Sequence, residues 1–252
     1  MTLLNNYEYL RYDRQISIKA FDIDGQQQLK KSKALIIGMG GLGCSVAQYL
    51  TASGIGKLTL VDFDIVSESN LSRQILYSDQ HIGKLKVKIA AEELKKHNGS
   101  VDITAITSKL DDQALIKQVK LHDILIDCSD NLDCRQQINR IAYQYKVPLI
   151  SGAAIRMEGM LTTFTYQEPQ QPCYHCLSQF FGHEPLTCVE TGVMSPLVGI
   201  IGSMQAMEAI KVLTHFGQPL VGRLLTIDAM TMEFQHIQFY KNINCPICTH
   251  ES

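Results

Sequence analysis

Ala34-Leu-Ile-Ile-Gly38-Met39-Gly40-Gly41-Leu42-Gly43 is a short apolar run that ends in four glycines within six residues. A near-continuous apolar run marks a strand buried on both faces of a parallel sheet. Glycines immediately after it permit a tight turn and let backbone N–H groups approach a phosphate at a helix N-terminus. The helix expected over residues 42–53 leads to a second strand, Leu58-Thr-Leu-Val-Asp62. Asp62 follows the glycines by about 20 residues, where a ribose-binding carboxylate belongs. Taken alone, Gly38, Gly40, Gly41 and Asp62 read as a dinucleotide site.

Working outward, the alternation continues. A polar loop over 64–83 leads into a helix over 84–96. Residues 101–106, 123–127 and 148–151 read as further strands, with helices over 114–119 and 135–145. Such β-α-β alternation implies a doubly wound parallel sheet that holds its ligand at the carboxyl ends of the strands. Upstream, residues 8–31 read as one amphipathic helical stretch. After Gly152 the pattern changes: 160–166, 224–228 and 232–240 read as strands, and 197–215 as a helix with small residues on its faces. The chain is read as a single domain in three parts: N-terminal helices (1–32), a nucleotide-binding part (33–152), and a partner-binding part that carries a metal site (153–252).

The formal net charge of −2 over 252 residues supplies no field to attract nucleic acid or an anionic membrane. Met1-Thr-Leu-Leu-Asn-Asn has neither the basic region nor the apolar core of a signal peptide. The longest apolar stretch, 197–212, is interrupted by Ser203, Gln205, Glu208 and Lys211, and reads as too polar and too short for a bilayer span. Of eight cysteines, four form two CxxC pairs, Cys173-Tyr-His-Cys176 and Cys245-Pro-Ile-Cys248. Four thiolates in two chelating pairs match the tetrahedral demand of Zn²⁺ and leave no open position for catalysis. That metal would pin the C-terminal tail to a distant loop. The pattern favours a reducing cytoplasm over a secreted disulfide framework. Cys44, Cys128 and Cys134 read as core residues.

Asn70, Arg73, Gln74 and Lys86 follow the ribose position. A nicotinamide cofactor needs an apolar slot there, whereas a triphosphate needs cations on its outer phosphates. Asp127-Cys-Ser-Asp130-Asn131 closes the fourth strand at the same edge. Asp130 there suits Mg²⁺, which prefers oxygen ligands and substrate phosphates. Asp130 and Asn131 could equally cap the next helix. Asp64 is the rival metal ligand, and Asp127 reads as a structural strand-end carboxylate.

Arg11-Tyr-Asp-Arg14-Gln15-Ile16, the glycine turn, the Asp62 segment with Ser69-Asn70-Leu-Ser-Arg73-Gln74, Asp130-Asn131 and the two CxxC pairs occur in one order. Together they resemble the MoeB/ThiF/HesA adenylyltransferase family, which is related to ubiquitin-activating enzymes. The resemblance runs from about residue 10 to 248. Segments 151–159 and 187–194 are more similar to the molybdopterin branch than to the thiamine branch. The resemblance implies a Rossmann-like sheet extended by antiparallel C-terminal strands. It implies ATP, Mg²⁺ and Zn²⁺ as cofactors. The expected reaction is adenylation of the C-terminal glycine of a small ubiquitin-like sulfur carrier ending in Gly-Gly. The carrier would be the small subunit of molybdopterin synthase, activated for thiocarboxylation in molybdenum cofactor biosynthesis; the thiamine-pathway carrier is the alternative. Gly40 and Gly41 would make room for the nucleotide, and Asp62 would hold the ribose. Arg73 and Lys86 would bind phosphates, with Asn70 and Gln74 alongside. Asp130, next to Asn131, would hold Mg²⁺. Arg14 would reach the nucleotide of a neighbouring subunit in a homodimer. Cys188 remains open between an acyl-accepting nucleophile and an ordinary loop thiol. Two other classes stay in view, an NAD-binding oxidoreductase and a non-enzymatic scaffold.

Overall fold

The computed structural model describes residues 4–181 and 192–249. An eight-stranded sheet organises them in the order β3-β2-β1-β4-β5-β6-β7-β8. The strands are β1 (Lys33–Ile37), β2 (Lys57–Val61), β3 (Asp102–Ile106), β4 (Ile124–Asp127), β5 (Leu149–Ile155), β6 (Glu158–Phe164), β7 (Arg223–Asp228) and β8 (Glu233–Gln238). The first five pair in parallel, and β6, β7 and β8 add to β5 antiparallel. Within β1, Ala34 and Ile36 enter one core and Leu35 and Ile37 the other, so the run is apolar throughout because both faces are covered.

Helices α4 (Gly41–Ser53), α5 (Lys86–His97) and α9 (Ser195–Thr214) build the first core. On the opposite face lie α6 (Asp112–Val119), α7 (Leu132–Tyr145) and the short α8 (Tyr174–Ser178). Residue 153 lies inside β5, which pairs with β4 through Leu149–Ser151 and with β6 along its whole length. The two parts expected to meet near residue 153 therefore share one strand. Gly152-Ala-Ala154 extends β5 beyond the four residues expected, because small side chains carry no apolar signal of their own.

The helical N-terminal part divides into three helices, α1 (Asn6–Arg11), α2 (Asp13–Ile16) and α3 (Asp22–Lys31). The turn between α2 and α3 falls where Ala20 and Asp22 adopt positive φ of 73° and 50°, beside the buried Phe21. The stretch around 197–212 belongs to α9, whose 20 residues are long and apolar enough by length and composition to cross a membrane. Packing gives it a different role. Ile201, Gln205 and Ala209 are fully buried, and Glu208 accepts hydrogen bonds from Thr163 Oγ1 (2.6 Å) and Leu220 N (2.7 Å). It is the core helix between α4 and strands β5 and β6.

Candidate active site

The strand order turns back at β1, which has β2 on one side and β4 on the other. Crossovers leave this switch point in opposite directions and open a crevice at the carboxyl ends. A cavity of about 970 Å³ occupies it, lined by Gly38, Gly40, Asp62, Asn70, Arg73, Gln74, Lys86, Asp130 and Asn131 among others. The structure thus brings these residues to one site.

The glycine turn shows which positions serve the fold and which leave space. Gly38 has φ +96°, and a Cβ there would lie 2.6 Å from Cys128 O. A Cβ on Gly41, which also lines the cavity, would lie 2.6 Å from Val198 Cγ2, so its smallness is already required by the packing of α9. At Gly40 the nearest atom to an added Cβ is Gln74 Nε2 at 3.8 Å. Gly40 has an ordinary φ of −81° and is the N-cap of α4, with no side-chain cap for the free N–H groups. The bare backbone at Gly40 is thus left open to the cavity, which suits a phosphate at a helix N-terminus.

Asp62 directly follows β2 and points back to the turn: Met39 N donates to Oδ2 (2.7 Å) and Asp64 N to Oδ1 (2.8 Å). Asn70 closes a one-turn 3₁₀ segment and accepts from Ser67 N at 3.2 Å. Arg73 Nη1 donates to Ser69 O at 3.1 Å. Lys86 is buried and donates to Asp64 Oδ2 at 2.9 Å, so Asp64 is its partner. Gln74 is 3% exposed, and its Oε1 has no hydrogen-bond partner. An orphaned acceptor at the cavity wall fits an incoming donor. The capping question is answered by Asn131, whose Oδ1 accepts from Cys134 N at 2.9 Å. Asp130 is left exposed at the cavity, an oxygen donor in the same cleft as Arg73 and Lys86, and so suited to Mg²⁺ on a phosphate.

The two CxxC pairs meet. Cys173, Cys176, Cys245 and Cys248 are all buried, with their sulfurs within 4.8 Å of one another. The spacings are 4.0 Å for Cys173–Cys176, 3.7 Å for Cys173–Cys245 and 3.5 Å for Cys176–Cys248. Four sulfurs about 2.3 Å from a tetrahedral zinc stand roughly 3.8 Å apart, so the set fits Zn²⁺. A hydrogen bond from Cys173 pulls Cys176 down to about 4, while burial first of all pushes Cys248 up to about 12. Asn139 Nδ2 faces Cys173 Sγ at 3.7 Å and Asn242 N faces Cys176 Sγ at 3.4 Å. Burial raises the Cys44 and Cys128 thiols, which remain neutral core groups, and Cys134 is half-buried.

Arg14 is not brought to this cavity: its side chain is 96% exposed on α2. Cys188 lies outside the described residues. Sequence reasoning missed Arg135, which lines the cavity and pairs with the buried Asp127 at 3.5 Å. The available signal was a cation early in a helix, where the dipole disfavours it unless a carboxylate is near. It also missed Lys109 and Leu110, which follow β3 at the cavity wall and carry no motif.

Residues 12–247 match the model of the ThiF family. The chain belongs to the ThiF family. It is 51% identical to the molybdopterin-synthase adenylyltransferase of Salmonella typhimurium over 98% of this chain and 99% of that protein. The namesake in Escherichia coli K12 gives the same identity and coverage. This ThiF-family chain is also 40% identical to the adenylyltransferase and sulfurtransferase MOCS3 of Drosophila persimilis, over 98% of its own length and 55% of the larger protein. Among solved structures, E. coli MccB with MccA-N7isoASN superposes with a TM-score of 0.85 at 22% identity, over 98% of this chain and 76% of that one. That likeness shows the fold.

Proposed function

We propose that this chain adenylates the C-terminal glycine of a small ubiquitin-like sulfur carrier, the small subunit of molybdopterin synthase, in molybdenum cofactor biosynthesis. One observation carries the reading. Asp62, Arg73, Lys86 and Asp130 converge on one cavity in a chain half identical, over nearly its full length, to molybdopterin-synthase adenylyltransferases. The carrier carboxylate attacks the α-phosphate of ATP, pyrophosphate leaves, and the acyl-adenylate remains for thiocarboxylation. A carboxylate is a poor electrophile because its oxygen leaves badly, whereas AMP leaves well.

The protein's part is positioning and charge stabilisation. Asp62, held by Met39 N, accepts the ribose hydroxyls. The open backbone at Gly40 admits the phosphates. Arg73 and Lys86 take up charge that gathers on pyrophosphate, with Asn70 and Gln74 beside them. Mg²⁺, held by Asp130, would supply the largest local counter-charge. Ala153 and Ala154 also line the cavity, and their small side chains leave room for a Gly-Gly tail. Zn²⁺ on the four cysteines serves structure.

Arg14 is assigned to the nucleotide of a second copy, which makes the working unit a homodimer. Four cysteines gathered as a zinc set, rather than paired as disulfides, fit a reducing cytoplasm. ATP–pyrophosphate exchange that requires the molybdopterin-synthase small subunit tests the reading. Exchange supported only by the thiamine-pathway carrier moves the substrate, and no exchange with either rejects the activity. Mixing the Arg14→Ala and Lys86→Ala proteins tests the dimer: recovered exchange supports a shared site, and none rejects it.

A further inference from the structure

Arg135 is the fourth residue of α7 and its side chain is 11% exposed. Its guanidinium joins the tips of β4 and β5. Nη2 donates to Ser129 O at 2.5 Å and to Gly152 O at 3.0 Å. Nη1 lies 3.4 Å from Ser151 Oγ and 3.5 Å from Asp127 Oδ2. The other oxygen of Asp127 accepts from Ser129 N at 2.9 Å and Ser129 Oγ at 2.6 Å. Ser129 is thus gripped at both ends of its backbone, its N–H by Asp127 and its C=O by Arg135. The next residue is Asp130, and the one after it, Asn131, is fixed as the cap of α7. The Asp130 carboxylate stays exposed between two clamped neighbours. The guanidinium also lies 6.0 Å from the centroid of Tyr174, inside the Cys173–Cys176 turn. The same helix carries Asn139, which accepts from Tyr174 N at 2.8 Å and faces Cys173 Sγ.

Resting on the adenylation reading, we propose that Arg135 is a positioning residue for that reaction. It fixes the 129–130 peptide, and so the direction in which Asp130 meets a phosphate-bound divalent cation. A planar fork can serve Ser129 O and Gly152 O from one nitrogen while the other nitrogen meets Asp127 and Ser151. An ammonium on a flexible stem cannot span those positions. Groups that orient a metal ligand from behind typically matter by about 10- to 100-fold in metal affinity or activity.

The test is Arg135→Lys in the full chain, with Mn²⁺ as the probe and a non-hydrolysable ATP analogue bound. Mn²⁺ affinity read by electron paramagnetic resonance should weaken about 10- to 100-fold. Analogue affinity measured in chelator should match the parent. Exchange should recover part of its loss as Mg²⁺ is raised. Should Arg135→Lys not fold, Ser151→Ala removes two longer contacts, to Arg135 Nη1 and Asp127 Oδ2 (both 3.4 Å), and should shift Mn²⁺ affinity less, in the same direction. Parental Mn²⁺ affinity in a folded variant overturns the proposal and leaves the pair a purely structural clamp. The unaltered protein is assayed alongside: if it lacks carrier-dependent exchange, the adenylation reading falls on that control, whatever the variants do.

Discussion

Lys86 Nζ sits 2.9 Å from Asp64 Oδ2, and the same two residues are joined again where Lys86 N donates to Asp64 O at 3.0 Å. The lysine is 7% exposed and the carboxylate 54%. Asp64 therefore aims a buried cation into the cleft from the solvent side. This pairing commits Asp64 to Lys86, and leaves Asp130 as the better placed oxygen ligand for a metal.

Replacing Lys86 or Arg73 by alanine is expected to cut adenylate formation about 10- to 150-fold. Each change removes a charge-assisted contact worth about 1.5–3 kcal/mol. Carrier binding should persist, because neither change touches Ala153 and Ala154, the part of the cavity proposed for the tail. Asp64→Asn should cost less, since the ammonium stays while its orientation loosens. Carrier-dependent exchange on the three proteins decides, and parental rates for both alanine variants would remove these residues from phosphate handling.

Gly40 and Gly41 should separate cleanly. A methyl group on Gly40 meets only Gln74 Nε2 at 3.8 Å, so Gly40→Ala should melt close to the parent yet lose most of its ATP affinity. A methyl group on Gly41 runs into Val198 of α9 at 2.6 Å. Overpacking of that kind costs about 1–3 kcal/mol. Gly41→Ala should therefore lower Tm by several degrees. Melting and ATP titration on both proteins check this, and parental ATP affinity in Gly40→Ala would show that no phosphate approaches there.

The parallel half of the fold was legible because buried strands such as Ala34–Ile37 are continuously apolar and the glycines punctuate them. The N-terminal break was not, since Ala20 and Asp22 take left-handed conformations that their residue types do not announce. Nor was the full length of β5, written in Gly and Ala. In the site, the motif residues carry their chemistry in their own side chains. Arg135 has meaning only once Asp127 is known to be buried beside it. The exposure of β8, outward on both faces, follows from its place at the sheet edge and not from its alternating sequence.

The cysteine cluster should bind one Zn²⁺. Serine at Cys173, Cys176, Cys245 or Cys248 is expected to lower bound zinc and Tm together, because a metal on this set would tie the tail to a segment 72 residues upstream. Asn139→Ala should lower zinc affinity by about 10- to 100-fold, since the side chain faces the Cys173 sulfur. Metal analysis with thermal melting checks both. A zinc-free protein with unchanged Tm would contradict the structural role.

Asp130 and its neighbour Asn131 should fail in opposite ways. Asn131 Oδ1 accepts from Cys134 N, so Asn131→Ala removes the cap of α7 and should cost about 1 kcal/mol of stability. Asp130 caps nothing and stands exposed at the cleft. Asp130→Ala should leave Tm and zinc content near the parent while abolishing exchange. The reason is electrostatic: the leaving pyrophosphate gathers negative charge, and Mg²⁺ is the largest counter-charge available to it. Arg73 and Lys86 cannot take over, because cations do not ligate Mg²⁺ and an oxygen donor must. Asp64 is engaged by Lys86, and Asp127 is buried under Arg135. Exchange and melting measured on the same Asp130→Ala sample decide the matter: near-normal exchange would strip Asp130 of its metal role.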